Sequence, residues 1–155
     1  MDRSIQRIVG LTHPRTLVFG SGCACQLTDM LRGRGCGSIL VVTAEAIRPM
    51  ADTVVSPLRD AGISVTINDS VNREPTIETL EQVLAHVSQE TDAVVGIGGG
   101  SVLDLAKLAA TLPGSGQKIH DLFGIGKVVS RNTALICLPT TSATVTGVAS
   151  AQRST

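Results

Sequence analysis

The sequence predicts an α/β protein built on a doubly wound, mostly parallel sheet, and three observations lead to this fold class. Apolar runs of strand length alternate along the chain with amphipathic stretches of helix length. Hydrophobic residues make up 43% of the 155 residues but aromatic residues only 1%, so aliphatic side chains must form the core. Such a core suits strands that helices cover on both faces. This length favours one domain, which we expect to span residues 1–155.

The first half of the chain predicts three strands and two helices. The expected positions are a strand at 16–19, a helix through 26–31, a strand at 38–43, a helix at 46–61 and a strand at 63–67. Glycines separate these elements, since Gly20 and Gly22 follow the first strand and Gly62 follows the second helix. The order strand, helix, strand is the one that parallel sheets require.

The second half predicts two further helices and two strands. The expected positions are a helix beginning at Thr76, a strand at 92–97, a helix at 102–112, a loop at 114–132 and a strand at 134–138. The helix after Thr76 has the clearest pattern, because its apolar residues recur at helical spacing. These residues are Ile77, Leu80, Val83, Leu84 and Val87. Ligands of doubly wound sheets bind at the carboxyl ends of strands, so the turns after 97 and 138 should share one pocket.

The most informative segment is Gly98-Gly99-Gly100-Ser101, which follows a buried-strand pattern and opens a helix pattern. Glycines let the backbone approach a ligand closely, and a helix N-terminus presents N–H groups and a positive dipole end. This arrangement suits a phosphate or pyrophosphate. The alternative is a plain capped helix, since Ser101 and Asp104 match the S-x-x-D pattern and Lys107 is spaced to pair with Asp104. Three consecutive glycines favour the ligand, because a cap needs at most one.

Charge and composition argue against several other classes. The formal net charge is zero and there is neither a Trp nor a Tyr, which disfavours nucleic-acid binding. No apolar run approaches the roughly 18 residues of a membrane span, and the N-terminus leads into no signal peptide. We therefore expect a soluble, cytoplasmic protein.

Cysteine and histidine spacing predicts no metal site in this chain. Cys23 and Cys25 are too close for the usual zinc pattern, and we expect the four cysteines to be buried or half-buried thiols. The three histidines, His13, His86 and His120, form no ligand pair. For His86, which lies among polar positions of a helix pattern, a surface role is expected.

Taken in order, these landmarks resemble the N-terminal half of the iron-containing (group III) alcohol dehydrogenases, whose fold is shared with dehydroquinate synthase. The resemblance covers nearly all of residues 15–149. The matching segments are Phe19-Gly20-Ser21-Gly22, Val41-Val42-Thr43, Glu74-Pro75-Thr76, Gly98-Gly99-Gly100-Ser101-x-x-Asp104-x-Ala106-Lys107 and Leu138-Pro139-Thr140-Thr141. The resemblance implies a Rossmann-like, dinucleotide-binding domain.

The resemblance also implies which residues bind the cofactor. They are Gly99, Gly100, Ser101, Asp104, Thr140, Thr141 and Thr144. The glycines and the serine would hold the pyrophosphate, and Asp104 would contact the cofactor toward its nicotinamide. The threonine hydroxyls would contact the adenine half or the phosphates. Without the resemblance, threonines in a turn after a strand are expected to bond local backbone.

The activity implied by the resemblance is hydride transfer between a nicotinamide cofactor and an alcohol, aldehyde or ketone, in an enzyme that is a homodimer. In the family a second, helical domain supplies an Asp and three His that bind Fe2+ or Zn2+. That domain is absent from this chain, so we expect these residues alone to bind cofactor without turnover. The run 142–148, whose one glycine is Gly147, also departs from the Gly-Thr-Gly-Ser-Glu-like run with which the family continues after Pro-Thr-Thr, which bears on Thr144.

The choice between NAD and NADP remains open in the sequence. NAD-preferring members often place an Asp after the second strand, where this chain has Ala44. The missing carboxylate and the nearby Arg48 favour acceptance of NADP, whereas Glu45 would favour NAD. Three other functions are also open. The first is a stand-alone nucleotide-binding module. The second is a piece of a dehydroquinate synthase-like or glycerol-phosphate dehydrogenase-like enzyme, and the third is a scaffold that binds nothing.

Overall fold

A computed structural model of the chain describes residues 16–18, 20–72, 76–113 and 133–140. The described strands are β1 (Ser38–Val42), β2 (Ser64–Asn68), β3 (Ala93–Gly98) and β4 (Ala134–Pro139). The described α-helices are α1 (Leu27–Gly33), α2 (Arg48–Asp60), α3 (Ile77–Leu84) and α4 (Gly100–Thr111). Two short 3-10 helices, Cys23–Gln26 and Glu45–Ile47, precede α1 and α2.

The described strands form one parallel sheet in the order β2-β1-β3-β4. The chain moves from β1 outward to β2 and then returns past β1 to β3, so the direction of winding reverses between β1 and β3. Such a reversal is the topological switch point of a doubly wound sheet, outside whose carboxyl ends ligands bind. The predicted fold class is therefore confirmed.

Side chains of the sheet pack into a separate apolar cluster on each face. Ile39 and Val41 of β1 lie in the cluster that also contains residues of α1 and α2, and Leu40 and Val42 lie in the cluster with residues of α3 and α4. This division follows from the alternation of side chains along a strand. Every residue of β3 is buried, as expected for a central strand that helices cover on both faces.

Several element boundaries differ from the sequence prediction, most of them by one or two residues. Residues 16–18 form no strand and pair with none of the described strands, and Phe19 lies outside the described residues. Helix α3 ends at Leu84, because the amide of Val87 bonds the carbonyl of Leu84 three residues back, which tightens the last turn. Helix α4 begins at Gly100, two residues earlier than predicted. The predicted loop at 114–132 lies outside the described residues.

The four cysteines form no disulfide, but they are not all buried. Cys25 is exposed, contrary to the prediction, because it lies in the short 3-10 helix that has no buried residue. Cys36 is buried, and burial raises the pKa of its thiol, with the charge of Asp92 adding to the effect. His86 lies on the exposed surface as predicted, and His13 and His120 lie outside the described residues. Within the described part of the chain, no helix is long and apolar enough to cross a bilayer.

Asp92 joins the amino ends of three strands. Its carboxylate Oδ2 accepts hydrogen bonds from the amides of Gly37 (2.7 Å) and Ser38 (3.0 Å) before and at the start of β1. Its own amide donates to the Ser38 carbonyl at 2.9 Å, and its carbonyl accepts from the Ala134 amide of β4 at 3.1 Å. One residue therefore fixes the relative register of β1, β3 and β4 at this edge.

We predict that Asp92→Ala lowers the free energy of unfolding by about 1–2 kcal/mol, because two backbone amides lose a charged acceptor at a site that water reaches. Urea denaturation followed by circular dichroism measures the change. Glu90→Ala is the matched control, since Glu90 is an exposed carboxylate two residues away, and it should change stability by less than about 0.5 kcal/mol. Equal destabilisation by the two variants would contradict the assignment.

Candidate functional site

The glycine turn and the Pro-Thr turn meet at the carboxyl edge of the sheet. Gly98 at the end of β3 is in register with Pro139 at the end of β4. The amide of Thr140 donates a hydrogen bond to the carbonyl of Gly98 at 3.1 Å, which carries the contact beyond the strands. The predicted meeting of these two turns is confirmed, while Thr141 and Thr144 lie outside the described residues.

Helix α4 begins directly on the glycine turn. Gly99 is its N-cap, with an extended backbone (φ −80°, ψ −175°), and its carbonyl accepts from the Leu103 amide at 3.1 Å. Ser101, which the capping-box alternative placed at the N-cap, lies instead inside the first helical turn. A glycine thus occupies the position at which a side chain ordinarily covers the first amides of a helix.

Two of the turn glycines are required by the packing of α4 on β3. A Cβ on Gly96 would lie 2.8 Å from the Cβ of Ala106, and a Cβ on Gly98 would lie 2.8 Å from the Cβ of Val102. Neither neighbour is the end of a flexible side chain, so any larger residue pushes the helix off the strand. Gly96 and Gly98 therefore have a structural role.

Gly99 and Gly100 have no such role in the described structure. A Cβ at either position would meet no heavy atom within 4 Å, and neither residue has a positive φ. Gly100, which lies inside the helix, is also unfavourable compared with alanine, because glycine costs more backbone entropy. Their lack of side chains leaves open space against the backbone at the helix N-terminus, and helix N-termini in general suit phosphate groups.

Asp104 and Lys107 form the ion pair that their spacing predicts. The Lys107 Nζ donates to Asp104 Oδ1 at 2.9 Å, and the side chain of Asp104 is 68% exposed against 23% for Lys107. An exposed pair of this kind contributes little to stability. The pair leaves an accessible carboxylate one turn along α4 from the glycine turn.

Thr43, which the sequence indicated only as the end of a matching segment, has a role at this edge that was not predicted. It is fully buried at the end of β1, and its hydroxyl donates to the carbonyl of Ile97 at 2.9 Å. Its amide donates to the carbonyl of Asn68 at 2.9 Å. Thr43 thereby joins the carboxyl ends of β1, β2 and β3 immediately before the glycine turn. A buried polar residue that closes an apolar strand run was the available signal.

The residues after β1 on which the expected cofactor choice depends lie at the same edge. Ala44 forms an isolated antiparallel bridge with Ser70, and Glu45 opens the short 3-10 helix before α2. Arg48 donates from Nε to Asp52 and from Nη1 to Asp69. The hydrogen bond to Asp52, followed by that to Asp69, raises the pKa of the Arg48 guanidinium above its ordinary value. Arg48 is thus already engaged by two carboxylates.

We predict that alanine substitutions at two of the turn glycines have different effects on the free energy of unfolding. Gly96→Ala should lower the free energy of unfolding by about 1–3 kcal/mol, because its methyl overlaps Ala106. Gly100→Ala should leave it unchanged or raise it by up to about 1 kcal/mol, since the position is open and helical. Denaturant titration of both variants checks the difference. Destabilisation by Gly100→Ala as large as that by Gly96→Ala would contradict the assignment.

Comparison with known proteins identifies a matching family and several relatives of this chain. Residues 14–152 match the family model for iron-containing alcohol dehydrogenase. A long-chain-alcohol dehydrogenase of Geobacillus thermodenitrificans is 38% identical over 147 residues, which are 91% of this chain and 36% of that protein. An NADPH-dependent butanol dehydrogenase of Clostridium saccharobutylicum is 30% identical over 145 residues, covering 88% of this chain and 36% of the relative.

A solved structure shows the same fold. Sulfoacetaldehyde reductase from Bifidobacterium kashiwanohense, in complex with NAD+, aligns with a TM-score of 0.72 and 25% identity over 87% of this chain and 36% of that chain. The chain thus spans about a third of the length of these relatives. Because the family model matches residues 14–152, which are most of the chain, the chain belongs to the iron-containing alcohol dehydrogenases, a family of oxidoreductases.

Proposed function

We propose that residues 1–155 are the dinucleotide-binding domain of an oxidoreductase, and that they bind NAD or NADP across the glycine turn. The observation that supports this most is the open space at Gly99 and Gly100, where internal packing gives no reason for glycine. The proposal is also supported by the location of the glycine turn at the switch point of the sheet. Family membership favours an alcohol dehydrogenase over the dehydroquinate synthase-like alternative.

The proposed roles follow the chemistry of each group. Gly99, Gly100 and Ser101 hold the pyrophosphate at the N-terminus of α4, where the helix dipole favours negative charge. Asp104 contacts the cofactor toward its nicotinamide. The hydroxyls of Thr140, Thr141 and Thr144 contact the adenine half or the phosphates. The bound nicotinamide supplies or accepts the hydride, and this chain's residues bind and orient it.

The family's metal has no fitting ligand set in the described part of this chain. There, no group of three or more His, Cys, Asp and Glu side chains is placed to hold a metal ion. We therefore assign no step through a metal to these residues, and the proposal leaves Fe2+ or Zn2+ to the complete family protein. The chain alone should bind cofactor without alcohol turnover. The proposal also includes a cytoplasmic location, which is consistent with four cysteines that form no disulfide, and a homodimeric enzyme.

We predict saturable binding of NADH or NADPH to the chain, and its loss in Gly99→Val. The valine fills the space that the pyrophosphate occupies, yet meets no protein atom at its Cβ, so the fold is retained. A fluorescence titration measures binding, and circular dichroism of both proteins is the control for folding. Absence of binding to the wild type, or equal binding to a folded Gly99→Val, contradicts the proposal.

For cofactor preference, the proposal is that NADP is accepted because no carboxylate stands at position 44. Ala44→Asp should lower the ratio of NADPH to NADH affinity by about tenfold, since the carboxylate accepts from ribose hydroxyls and repels a 2′-phosphate. The control is Ala44→Asn, because asparagine has the same shape as aspartate but carries no charge. Titration of each variant with both cofactors gives the ratio, and an unchanged ratio in Ala44→Asp would count against this part of the proposal.

A further inference from the structure

Arg48, Asp52 and Asp69 form a charged cluster at the carboxyl edge of the sheet. Arg48 opens α2, Asp52 lies one turn along the same helix, and Asp69 directly follows β2. The Nε of Arg48 donates to Asp52 Oδ1 at 3.0 Å and its Nη1 donates to Asp69 Oδ2. The three side chains are 34%, 51% and 41% exposed, so a ligand can reach them from solvent.

The cluster adjoins the place where the proposed cofactor would carry its adenosine ribose. When a dinucleotide lies across a switch point, its pyrophosphate sits at the helix N-terminus and its ribose reaches the end of the neighbouring strand. That strand is β1, and the residue at the turn after it is Ala44. Ala44 bridges to Ser70, the residue next to Asp69. Arg48 lies on the first turn of the helix that follows Ala44.

The balance of charge in this cluster is unfavourable for a phosphate. One guanidinium faces two carboxylates, so the three side chains carry a net charge of −1, and Glu45 adds another negative charge. A guanidinium binds phosphate well when its fork of N–H donors is available, but two of the Arg48 nitrogens already donate to carboxylates. A 2′-phosphate must therefore compete with Asp52 and Asp69 for Arg48.

We propose that Asp69, with Asp52, is a specificity-determining residue that holds Arg48 away from a 2′-phosphate and so limits the affinity of the chain for NADP relative to NAD. The inference rests on the proposed function, because it concerns the same cofactor site. It is separate from the effect of position 44, since it gives an acidic residue after β2 its own influence on cofactor preference.

The test is a titration of NADH and NADPH into the wild type, Asp69→Asn, Asp52→Asn and Arg48→Gln. Each aspartate variant should raise the ratio of NADPH to NADH affinity by about threefold to fivefold, as expected for one partly exposed charge pair. Arg48→Gln should lower the ratio, since only the carboxylates remain. Both shifts should shrink at high salt, because exposed charges are screened.

Asp60→Asn is the matched control. It removes the same charge from the other end of α2, roughly 18 Å away along the helix, and should leave the ratio unchanged. If both cofactors bind but Asp69→Asn changes the ratio no more than Asp60→Asn, the inference is overturned while the proposed function stands. If neither cofactor binds the wild type, the proposed function fails and the inference fails with it. Opposite shifts in Asp69→Asn and Arg48→Gln, with thermal stability retained, support it.

Discussion

The close packing of α4 on β3 is the constraint on which the rest of the structure depends. Backbone and side chain approach so closely at Gly96 and Gly98 that the methyl of alanine has no room at either position. This contact fixes where the helix begins, and with it where its N-terminus lies relative to the carboxyl edge of the sheet. A shift of α4 away from the sheet would move the whole glycine turn, since only Gly99 separates β3 from the helix.

Hydrogen bonds from the neighbouring strands hold the other side of this turn. Thr43 binds the carbonyl of Ile97 and Thr140 binds that of Gly98, so the last two carbonyls of β3 are both satisfied from adjacent strands. Buried carbonyls without partners are costly, which makes these contacts specific as well as favourable. The backbone next to Gly99 is therefore held before any ligand arrives, and binding does not need to order it.

Charge at this edge is divided between two regions. At the glycine turn, the positive end of α4 favours an anion, and the carboxylate of Asp104 is balanced by Lys107. On the β2 side, two carboxylates outnumber the one guanidinium of Arg48. A ligand that carries a pyrophosphate fits the first region, while additional negative charge is disfavoured at the second. In the proposed function, the region that binds the dinucleotide is therefore separate from the region that selects between NAD and NADP.

The sequence by itself determined the fold class, the order and approximate positions of the described elements, and the glycine turn. These follow from local periodicity and from residue types whose backbone preferences act over a few positions. The Asp104–Lys107 pair was predictable for the same reason, since its spacing lies within one helix. The strand expected at 16–19 was not found among its described residues, because a strand also needs a neighbour, and an apolar run alone does not supply one.

Only the tertiary structure decided which glycines serve packing and which leave space, because the difference depends on atoms of a helix that packs against the strand. It also decided that Gly99, not Ser101, caps α4, and that Thr43 bonds a carbonyl 54 residues away. Arg48 is the clearest case. In the sequence, an arginine close to Ala44 indicated a guanidinium available to a phosphate. In the structure, that guanidinium donates a hydrogen bond to Asp69, which lies 21 residues further along the chain. Contacts between residues distant in sequence are set by topology, which local pattern does not encode.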